Sequence, residues 1–488
     1  MSGTIQDQIR ATGLAQVIVV LKGAELSAST TRGGIIALGL ERTGPVSLDQ
    51  VASGLEQYFS RASDTRDGAI AIAARGIRTR GLTPAPLASA SALSLEAGVG
   101  GGAVAAPGPR YFENLGIMLG SVDANGLDAL NASEGVTQVV LAPEFSLIRP
   151  VATAKSALAA GPTWGLMALK VPELHAKGLT GKGVLVGHLD TGVDASHPAL
   201  KAAVTNYVEF DLMGRPVPNA LPRDSGQHGT HTAGTIAGRL FKTTEFGVAP
   251  EASLASAMVI EGGNVIARVL AGLDWAVGLK VRVISMSLGL RGYDASFLAV
   301  TQIIRARNIL PVFAVGNEGP GTSRSPGNYD EALSVGASDS SSVVADFSSS
   351  MRFMDPIERF VPDLVAPGVD VMSSIPGGKT ELFSGSSMAT PHIAGLAALL
   401  FQAFPTASAD QVEAAIFASA KRPVGMTAAR GGRGIPDGVK ALKALATALG
   451  GTPALMEASA ATPAKASPKS QPKPKTKTPK KAKKVKSS

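Results

Sequence analysis

The stretch GVLVGHLDTGVDASHP, residues 183–198, decides the fold. Its apolar run Val184–Leu189 predicts a short buried strand, and further apolar strands are predicted at Val281–Met286 and Ile309–Val315. Small-residue, amphipathic or apolar runs between and after these strands predict helices at Gly229–Gly238, Val265–Val277 and Ser387–Phe401. Strands that alternate with helices indicate an α/β fold, with a mostly parallel sheet covered by helices on both faces.

Two polar residues lie at or just beyond the carboxyl ends of predicted strands. Asp190 follows Val184–Leu189 directly, and Asn317 comes shortly after Ile309–Val315. In open parallel sheets, ligands bind outside the carboxyl ends of the strands. The sequence therefore predicts a functional site at this edge of the sheet.

The composition limits the classes of protein that fit. A chain of 488 residues, 45% of them hydrophobic and 17% charged, can bury a large core and predicts two to three units. The absence of cysteine excludes disulfides, thiolate metal sites and a cysteine nucleophile. Residues 465–488 hold ten lysines and no acid, which leaves 36 basic and 38 acidic residues elsewhere, a formal charge of −2. The formal charge of +8 therefore belongs to a tail.

The start of the chain carries no visible targeting signal. Met1–Gly13 is polar, with charges of both signs, and lacks a basic segment followed by an apolar one. No apolar window reaches the length needed to span a bilayer. We expect a soluble protein located in the cytoplasm, and export by a route without a signal peptide stays open.

Changes in composition divide the chain into segments. Residues 1–150 predict a small α+β unit, interrupted at about 64–109 by a flexible Ala/Gly/Ser/Pro-rich insertion. A small-residue linker is predicted at 151–163, the main α/β unit at 164–450, and a disordered Lys/Pro/Ala-rich tail at 451–488. Within the first unit, strands are predicted at Gln16–Lys22, Tyr111–Val122 and Val136–Leu141, and helices at Ser47–Ser60 and Ala124–Leu130.

Four segments of the main unit carry residues that amide hydrolysis requires. Asp190 lies in HLDTGVDASHP, His228 in DSGQHGTHTAG, Asn317 in FAVGNEGPG and Ser387 in FSGSSMATPHIAG. Hydrolysis of an amide needs a nucleophile, a base, a group that orients the base, and donors for the developing oxyanion. The predicted helix at Ser387 would bring its hydroxyl close to unpaired backbone N–H groups.

These segments resemble those of the subtilisin-like serine proteases, in the chain order Asp, His, Ser. The resemblance runs from Trp164 to about Leu449 and includes SMSLG at 285–289 and VPDLVAPG at 361–368. It implies a serine endopeptidase in which Ser387 is the nucleophile, His228 its base and Asp190 the group that orients the base. It also implies that the Asn317 side-chain amide and the Ser387 backbone N–H bind the oxyanion.

Each of these residues has a structural interpretation when taken alone. Asp190 could be a turn residue, His228 a packed polar residue and Ser387 a helix N-cap. Their joint occurrence in the family's order favours the protease. His188, His197 and His392 are predicted to be structural. His231 is also predicted to be structural, because the first histidine of HGTH is the catalytic one in the family.

The resemblance also assigns substrate-binding residues. The segment Ser287, Leu288 and Gly289 resembles the edge to which a peptide adds as an extra strand. The opposite edge is then assigned to Gly262 and Gly263, and the first specificity pocket to Ala314, Val315 and Gly316, with Glu318 near its mouth. These residues predict an apolar or broad preference.

No metal or cofactor is expected. Many relatives have an Asp after SHP that helps to hold calcium, whereas Ala199 stands at that position here. The loop Arg239–Phe246 also lacks the usual Asn and Asp oxygen ligands.

The first 150 residues resemble, more weakly, the ferredoxin-like propeptides of this family. The resemblance implies a chaperone and inhibitor of the subtilisin-like unit, with cleavage between about Pro150 and Pro162. The alternative is a permanent accessory domain. A separate inhibitor protein is another possible source of restraint.

Two rival interpretations of the whole chain stay open. One is a catalytically silent binding protein on the same fold. The other adds a role for the basic tail, which could tether the protease to an anionic surface or serve only as a solvated tail.

Overall fold

The computed structural model describes residues 4–24, 47–60, 108–211, 213–260, 265–354 and 358–451. The predicted insertion at about 64–109 and the predicted tail therefore lie almost wholly outside the described residues, as do Gly262 and Gly263.

The N-terminal unit, residues 1–150, contains a four-stranded antiparallel sheet. Its strands are β1 (Ala15–Leu21), β2 (Arg110–Phe112), β3 (Ile117–Val122) and β4 (Val136–Leu141), in the order β2-β3-β1-β4. The helices Ile5–Thr12, Leu48–Leu55 and Ala124–Ala132 belong to this unit. Val17 and Val19 face a core with the last two helices, whereas Ile18 and Val20 face the main unit. This strand order and the helix positions are those of the predicted ferredoxin-like fold.

The predicted strand Tyr111–Val122 is wrong in one respect, because it is a hairpin. Strands β2 and β3 pair with each other across a turn that ends at Gly116, whose φ is +64°. The turn is held from outside, since the backbone N–H groups of Asn114 and Leu115 both donate to the Asp274 carboxylate, at 2.8 and 3.1 Å. That partner lies 160 residues away in the sequence, so local patterning could not reveal the turn.

The main unit is built on a seven-stranded parallel sheet. In chain order the remaining strands are β5 (Ser146–Leu147), β6 (Ala152–Ala154), β7 (Gly161–Pro162), β8 (Leu185–Asp190), β9 (Val204–Glu209), β10 (Thr244–Glu245), β11 (Ser253–Met258), β12 (Val283–Met286), β13 (Leu288–Arg291), β14 (Leu310–Ala314), β15 (Arg324–Ser325), β16 (Leu333–Ser338), β17 (Met351–Phe353), β18 (Arg359–Val361), β19 (Leu364–Pro367), β20 (Val371–Ile375) and β21 (Lys379–Ser384). The strand order in the seven-stranded sheet is β19-β16-β14-β12-β8-β11-β9.

Helices cover both faces of this sheet, which confirms the predicted fold class. Neighbouring strand residues such as Val283 and Ile284 belong to different cores, because side chains alternate across a strand. One core contains the helices His228–Ala237, Ser386–Ala403, Ala409–Ser419 and Gly438–Leu449; the other contains Val265–Gly278 and Leu298–Ala306. The short helices Trp164–Ala168, Val171–His175 and Ala428–Gly431 complete the main unit.

The central helix Ser386–Ala403 starts one residue before the predicted position. Pro391 lies inside it rather than in its first turn. Because proline has no backbone N–H, the Ser387 carbonyl lacks its usual helical donor four residues later. The Ser287 hydroxyl lies 3.4 Å from this carbonyl and donates to it. Among the described helices, none has the length and apolar character to cross a membrane.

Candidate active site

The carboxylate of Asp190 and the imidazole of His228 form a buried pair. Asp190 is the last residue of β8, and His228 is the first residue of the helix His228–Ala237. His228 Nδ1 lies 2.7 Å from Asp190 Oδ1, and the two residues are 5% and 2% exposed. The carboxylate fixes the tautomer, because Nδ1 must carry the proton to donate it, so Nε2 keeps its lone pair.

Other donors hold the Asp190 carboxylate in place. The Thr191 backbone N–H donates to Oδ1 at 2.7 Å, and the Thr232 hydroxyl donates to Oδ2 at 3.0 Å. Behind Thr232, His188 Nε2 lies 2.8 Å from the same hydroxyl oxygen. Burial raises the pKa of Asp190, but the charge and hydrogen bond of His228 lower this pKa by more than burial raises it. The net pKa of Asp190 therefore lies below its usual value.

His228 Nε2 and the Ser387 hydroxyl lie in buried surroundings. This nitrogen is buried and has no hydrogen-bond partner among the described residues. Ser387 is fully buried, and its hydroxyl points to the Met388 sulfur, at 3.3 Å. The Ser387 hydroxyl and His228 Nε2 are therefore not hydrogen-bonded to each other in this conformation.

Asn317 lies beside Ser387, with both ends of its side-chain amide bound. Oδ1 accepts from the Ser386 backbone N–H at 2.8 Å, which turns Nδ2 outward as a donor. Nδ2 donates to the backbone carbonyl of Arg149 at 2.9 Å. A methyl group added at Gly385 would lie 3.0 Å from both Asn317 Nδ2 and Ser387 Oγ, so these atoms line one small space.

The carbonyl in this space belongs to a part of the chain that runs through the whole cleft. We call residues 146–154 the cleft segment. Its strand β5 pairs antiparallel with β13, with Leu147 opposite Leu288 and Ser146 opposite Gly289. After Arg149, the Val151 N–H donates to the Ser384 carbonyl at 2.8 Å, and β6 pairs antiparallel with β21. The cleft segment therefore occupies the site as an extended peptide, with the Arg149–Pro150 bond at Asn317.

The structure thus distributes the predicted substrate-binding residues as follows. Ser287, Leu288 and Gly289 border the cleft segment directly, and the Ser287 carbonyl accepts from the Ile148 N–H at 3.0 Å. Ala314 is buried at the end of β14. Gly316 has a φ of +119°, and a side chain there would lie 2.7 Å from the Glu318 carboxylate, so this turn requires glycine.

Sequence reasoning missed Arg324 and the state of the linker. Arg324 is 5% exposed, and Nε donates to Glu318 Oε1 at 2.9 Å. Burial acts to raise the pKa of Glu318, but the hydrogen bond and charge of Arg324 lower it to a net value below the usual one. Residues 151–157 are exposed as the linker prediction implies, yet 152–154 are part of a sheet.

Four of the remaining histidines, His188, His197, His231 and His392, are buried. His231 stacks on Phe383 with ring centroids 4.3 Å apart, and His392 Nδ1 lies 2.9 Å from the Met388 carbonyl. Burial lowers the pKa of His231 to about 3 and that of His392 to about 4. Ala199 is buried and packs with Phe241 and Phe246.

Comparisons with known proteins identify the family of the chain. A sequence model described as the Subtilase family matches residues 181–443, more than half of the chain. Subtilisin E from Bacillus subtilis (strain 168) is 37% identical over 257 residues, which cover 51% of this chain and 63% of that protein. M-protease from Shouchella clausii (strain KSM-K16) is 34% identical over 303 residues, 62% of this chain and 73% of that protein. The chain thus spans less than two thirds of subtilisin E. The resemblance drawn from the four catalytic segments is confirmed, and the chain belongs to the subtilase family.

Proposed function

We propose that the protein is a serine endopeptidase that hydrolyses peptide bonds of extended polypeptides through an acyl-enzyme. One observation carries the proposal. A peptide carbonyl, that of Arg149, is bound by Asn317 Nδ2 at 2.9 Å in a space that Ser387 Oγ also lines. This carbonyl stands where the carbonyl of a substrate would be attacked.

The reaction follows from the geometry of the buried pair. Ser387 Oγ turns away from Met388 and gives its proton to His228 Nε2 while it attacks the carbonyl carbon. Asp190 stabilises the imidazolium that forms. The carbon–nitrogen bond then breaks, and His228 Nε2 returns the proton to the leaving amine. Water hydrolyses the ester by the same steps, which restores Ser387.

Asn317 supplies stabilisation that grows during the reaction. Its amide is fixed by the bond from the Ser386 N–H, so Nδ2 need not reorganise when negative charge develops on the substrate oxygen. The backbone N–H of Ser387, near the start of its helix, is the second donor in this proposal. Hydrogen bonds to a charged oxygen are stronger than those to a neutral one, so the transition state gains more than the substrate does.

The N-terminal unit acts as an inhibitor within the same chain. Two observations support this role: the cleft segment fills both sides of the cleft as a strand, and one face of the N-terminal sheet shares a core with the helix Val265–Gly278. Asp274 on that helix accepts three hydrogen bonds from the N-terminal unit, two from backbone N–H groups and one from Asn114 Nδ2 at 3.2 Å. Substrate can enter only when this unit withdraws.

Hydrolysis of a denatured protein tests the proposed activity. Purified protein is incubated with casein beside a Ser387→Ala variant, and new peptide amino termini are counted by mass spectrometry. We expect cleavage by the native chain alone. Equal results with both proteins would favour the catalytically silent rival. Sequencing the amino terminus of the active species then tests the predicted cut between about residues 150 and 162, and an uncut active chain would favour a permanent accessory domain.

A further inference from the structure

Arg324 crosses the substrate-binding edge and reaches the bound peptide. Strand β15, which contains Arg324, pairs with one side of β13, and the cleft segment pairs with the other side. Arg324 Nη1 lies 2.8 Å from Ser146 Oγ and 3.3 Å from the Gly289 carbonyl. The guanidinium thus binds both the edge strand and a side chain of the residue opposite Gly289.

The guanidinium is held rigidly on its other side. Glu318 accepts from Arg324 Nε at 2.9 Å and also from Nη2. The Glu318 carboxylate in turn accepts from the Asn317 backbone N–H at 3.1 Å and from the Ser349 hydroxyl at 3.3 Å. Arg324 is therefore fixed by the same loop that presents Asn317, and its Nη1 group is aimed at the peptide before any substrate arrives.

The chemistry of this contact selects among side chains. Ser146 Oγ accepts from Arg324 and donates to the Gly289 carbonyl at 3.3 Å, so both polar groups are satisfied. An aliphatic side chain at this place would remove the shorter of the two hydrogen bonds of Arg324 Nη1 and leave only the 3.3 Å bond to the Gly289 carbonyl, which is unfavourable. A lysine or arginine would bring a like charge against Arg324, and exposed Arg291 adds a further positive charge beside Glu318.

We propose that Arg324 is a specificity-determining residue that selects substrates with a hydroxyl or carboxylate side chain at the position opposite Gly289, and that excludes cationic side chains there. In the register of the cleft segment, this position lies three residues before the residue whose carbonyl Asn317 binds. The inference rests on the proposed endopeptidase function and adds a substrate class to it. It concerns a different position from the first specificity pocket, for which Ala314, Val315 and Gly316 predict an apolar or broad preference.

The cleft segment provides a test within the full chain. The rate at which a small fluorophosphonate modifies Ser387 measures how often the segment leaves the site. We expect Ser146→Ala to raise this rate about tenfold or more, since one hydrogen bond to a charged group is lost, and Ser146→Lys to raise it further. In an Arg324→Met background, chains with serine or alanine at 146 should react within twofold of each other. The matched control is Arg291→Met, which removes a nearby charge without touching Ser146.

The results separate the two proposals. This inference alone is overturned if the rate of Ser387 modification does not depend on the side chain at residue 146. It is also overturned if that dependence is the same with and without Arg324. Absence of any modification overturns the proposed function and this inference with it. Because Arg324→Met removes the two hydrogen bonds that the guanidinium donates to Glu318, the double variant Glu318→Gln/Arg324→Met is measured in parallel. Thermal unfolding of each variant identifies chains that fail to fold.

Separate peptide substrates added to the protein test the same side-chain preference independently of the cleft segment. The Ser146→Lys chain, whose site opens most often, is offered four 4-nitroanilides of sequence X-Leu-Ile-Arg, with serine, aspartate, alanine or lysine at X. We expect kcat/KM to be about tenfold higher for serine and aspartate than for alanine, and lowest for lysine. This preference should vanish with Arg324→Met. Equal values for the four peptides, or cleavage of casein with none of the four, would overturn the inference.

Discussion

Replacing Asn317 by alanine separates binding from catalysis, because one amide serves both. In the resting chain Nδ2 holds the neutral carbonyl of Arg149 at 2.9 Å. During the reaction it holds an oxyanion at the same place. The neutral hydrogen bond is worth ~1 kcal/mol, about fivefold in affinity. Loss of an oxyanion donor lowers kcat by about 10²–10³-fold, a magnitude known from the corresponding asparagine of a subtilisin.

The two effects act on different kinetic parameters in the full chain. Asn317→Ala weakens the cleft segment about fivefold, so the site is open more often. Chemistry in the open site falls by about 10²–10³-fold. Opening affects only the apparent KM, because the cleft segment competes with substrate, so at saturation kcat should fall by the full 10²–10³-fold. The weaker segment and the weaker hydrogen bond to the substrate carbonyl offset each other, so KM should be nearly unchanged.

Steady-state hydrolysis measures kcat and KM, and hydrogen exchange of the amides in residues 146–154 measures opening without chemistry. Asn317→Asp is the matched variant: it keeps an acceptor for the Ser386 N–H but offers no donor to the oxyanion. Its kcat should fall at least as far. A rise in KM with unchanged kcat, or full activity of Asn317→Asp, would refute the reasoning.

Three further predictions use other parts of the molecule. Asp274→Ala removes three hydrogen bonds to the N-terminal unit, and we expect this loss to weaken the contact by ~2 kcal/mol or more. Fluorophosphonate modification of Ser387 should then be about 30-fold faster, whereas an unchanged rate would mean that this contact does not hold the inhibitor. Pro150 makes the nitrogen of the Arg149–Pro150 bond, which lies at Asn317, a tertiary amide. Pro150→Ala should therefore speed cleavage after Arg149, measured by mass spectrometry of the released unit, and equal rates would contradict this. The pKa values of His231 and His392 are lowered to about 3 and about 4, below the unfolded value of about 6.5, so the unfolded chain takes up protons first and stability falls as the pH drops below that value. Urea unfolding should show a loss of ~4 kcal/mol between pH 7 and pH 5 from these two residues, and pH-independent stability over this range would contradict it.

Much of the main unit was predictable because its signals are local. The apolar run before Asp190 is a strand that ends at that residue, within one position of the prediction. The helix at His228 and the helix at Ser387 likewise begin within one residue of the predicted positions. The hydrophobic periodicity and the family's sequence segments that predict these elements each lie within a short stretch of the chain.

The parts that were missed depend on contacts between distant residues. The turn at Asn114 is fixed by Asp274, and the register of the cleft segment is fixed by its pairing with β13 and β21. Arg324 stands in a loop where its sequence neighbours give no sign of a partner at Ser146, 178 residues away. Such contacts decide which peptide bond lies at Asn317, and they carry the proposed side-chain preference.

The central claim is that Ser387 is a nucleophile activated by His228, and its most direct test is to identify by mass spectrometry the residue that a fluorophosphonate modifies. The native chain is treated at neutral pH, digested and mapped, beside His228→Ala. We predict a single stoichiometric adduct on Ser387 that is lost in His228→Ala, because the base is needed to activate the hydroxyl. An adduct on another residue, or equal modification of Ser387 without His228, would contradict the account.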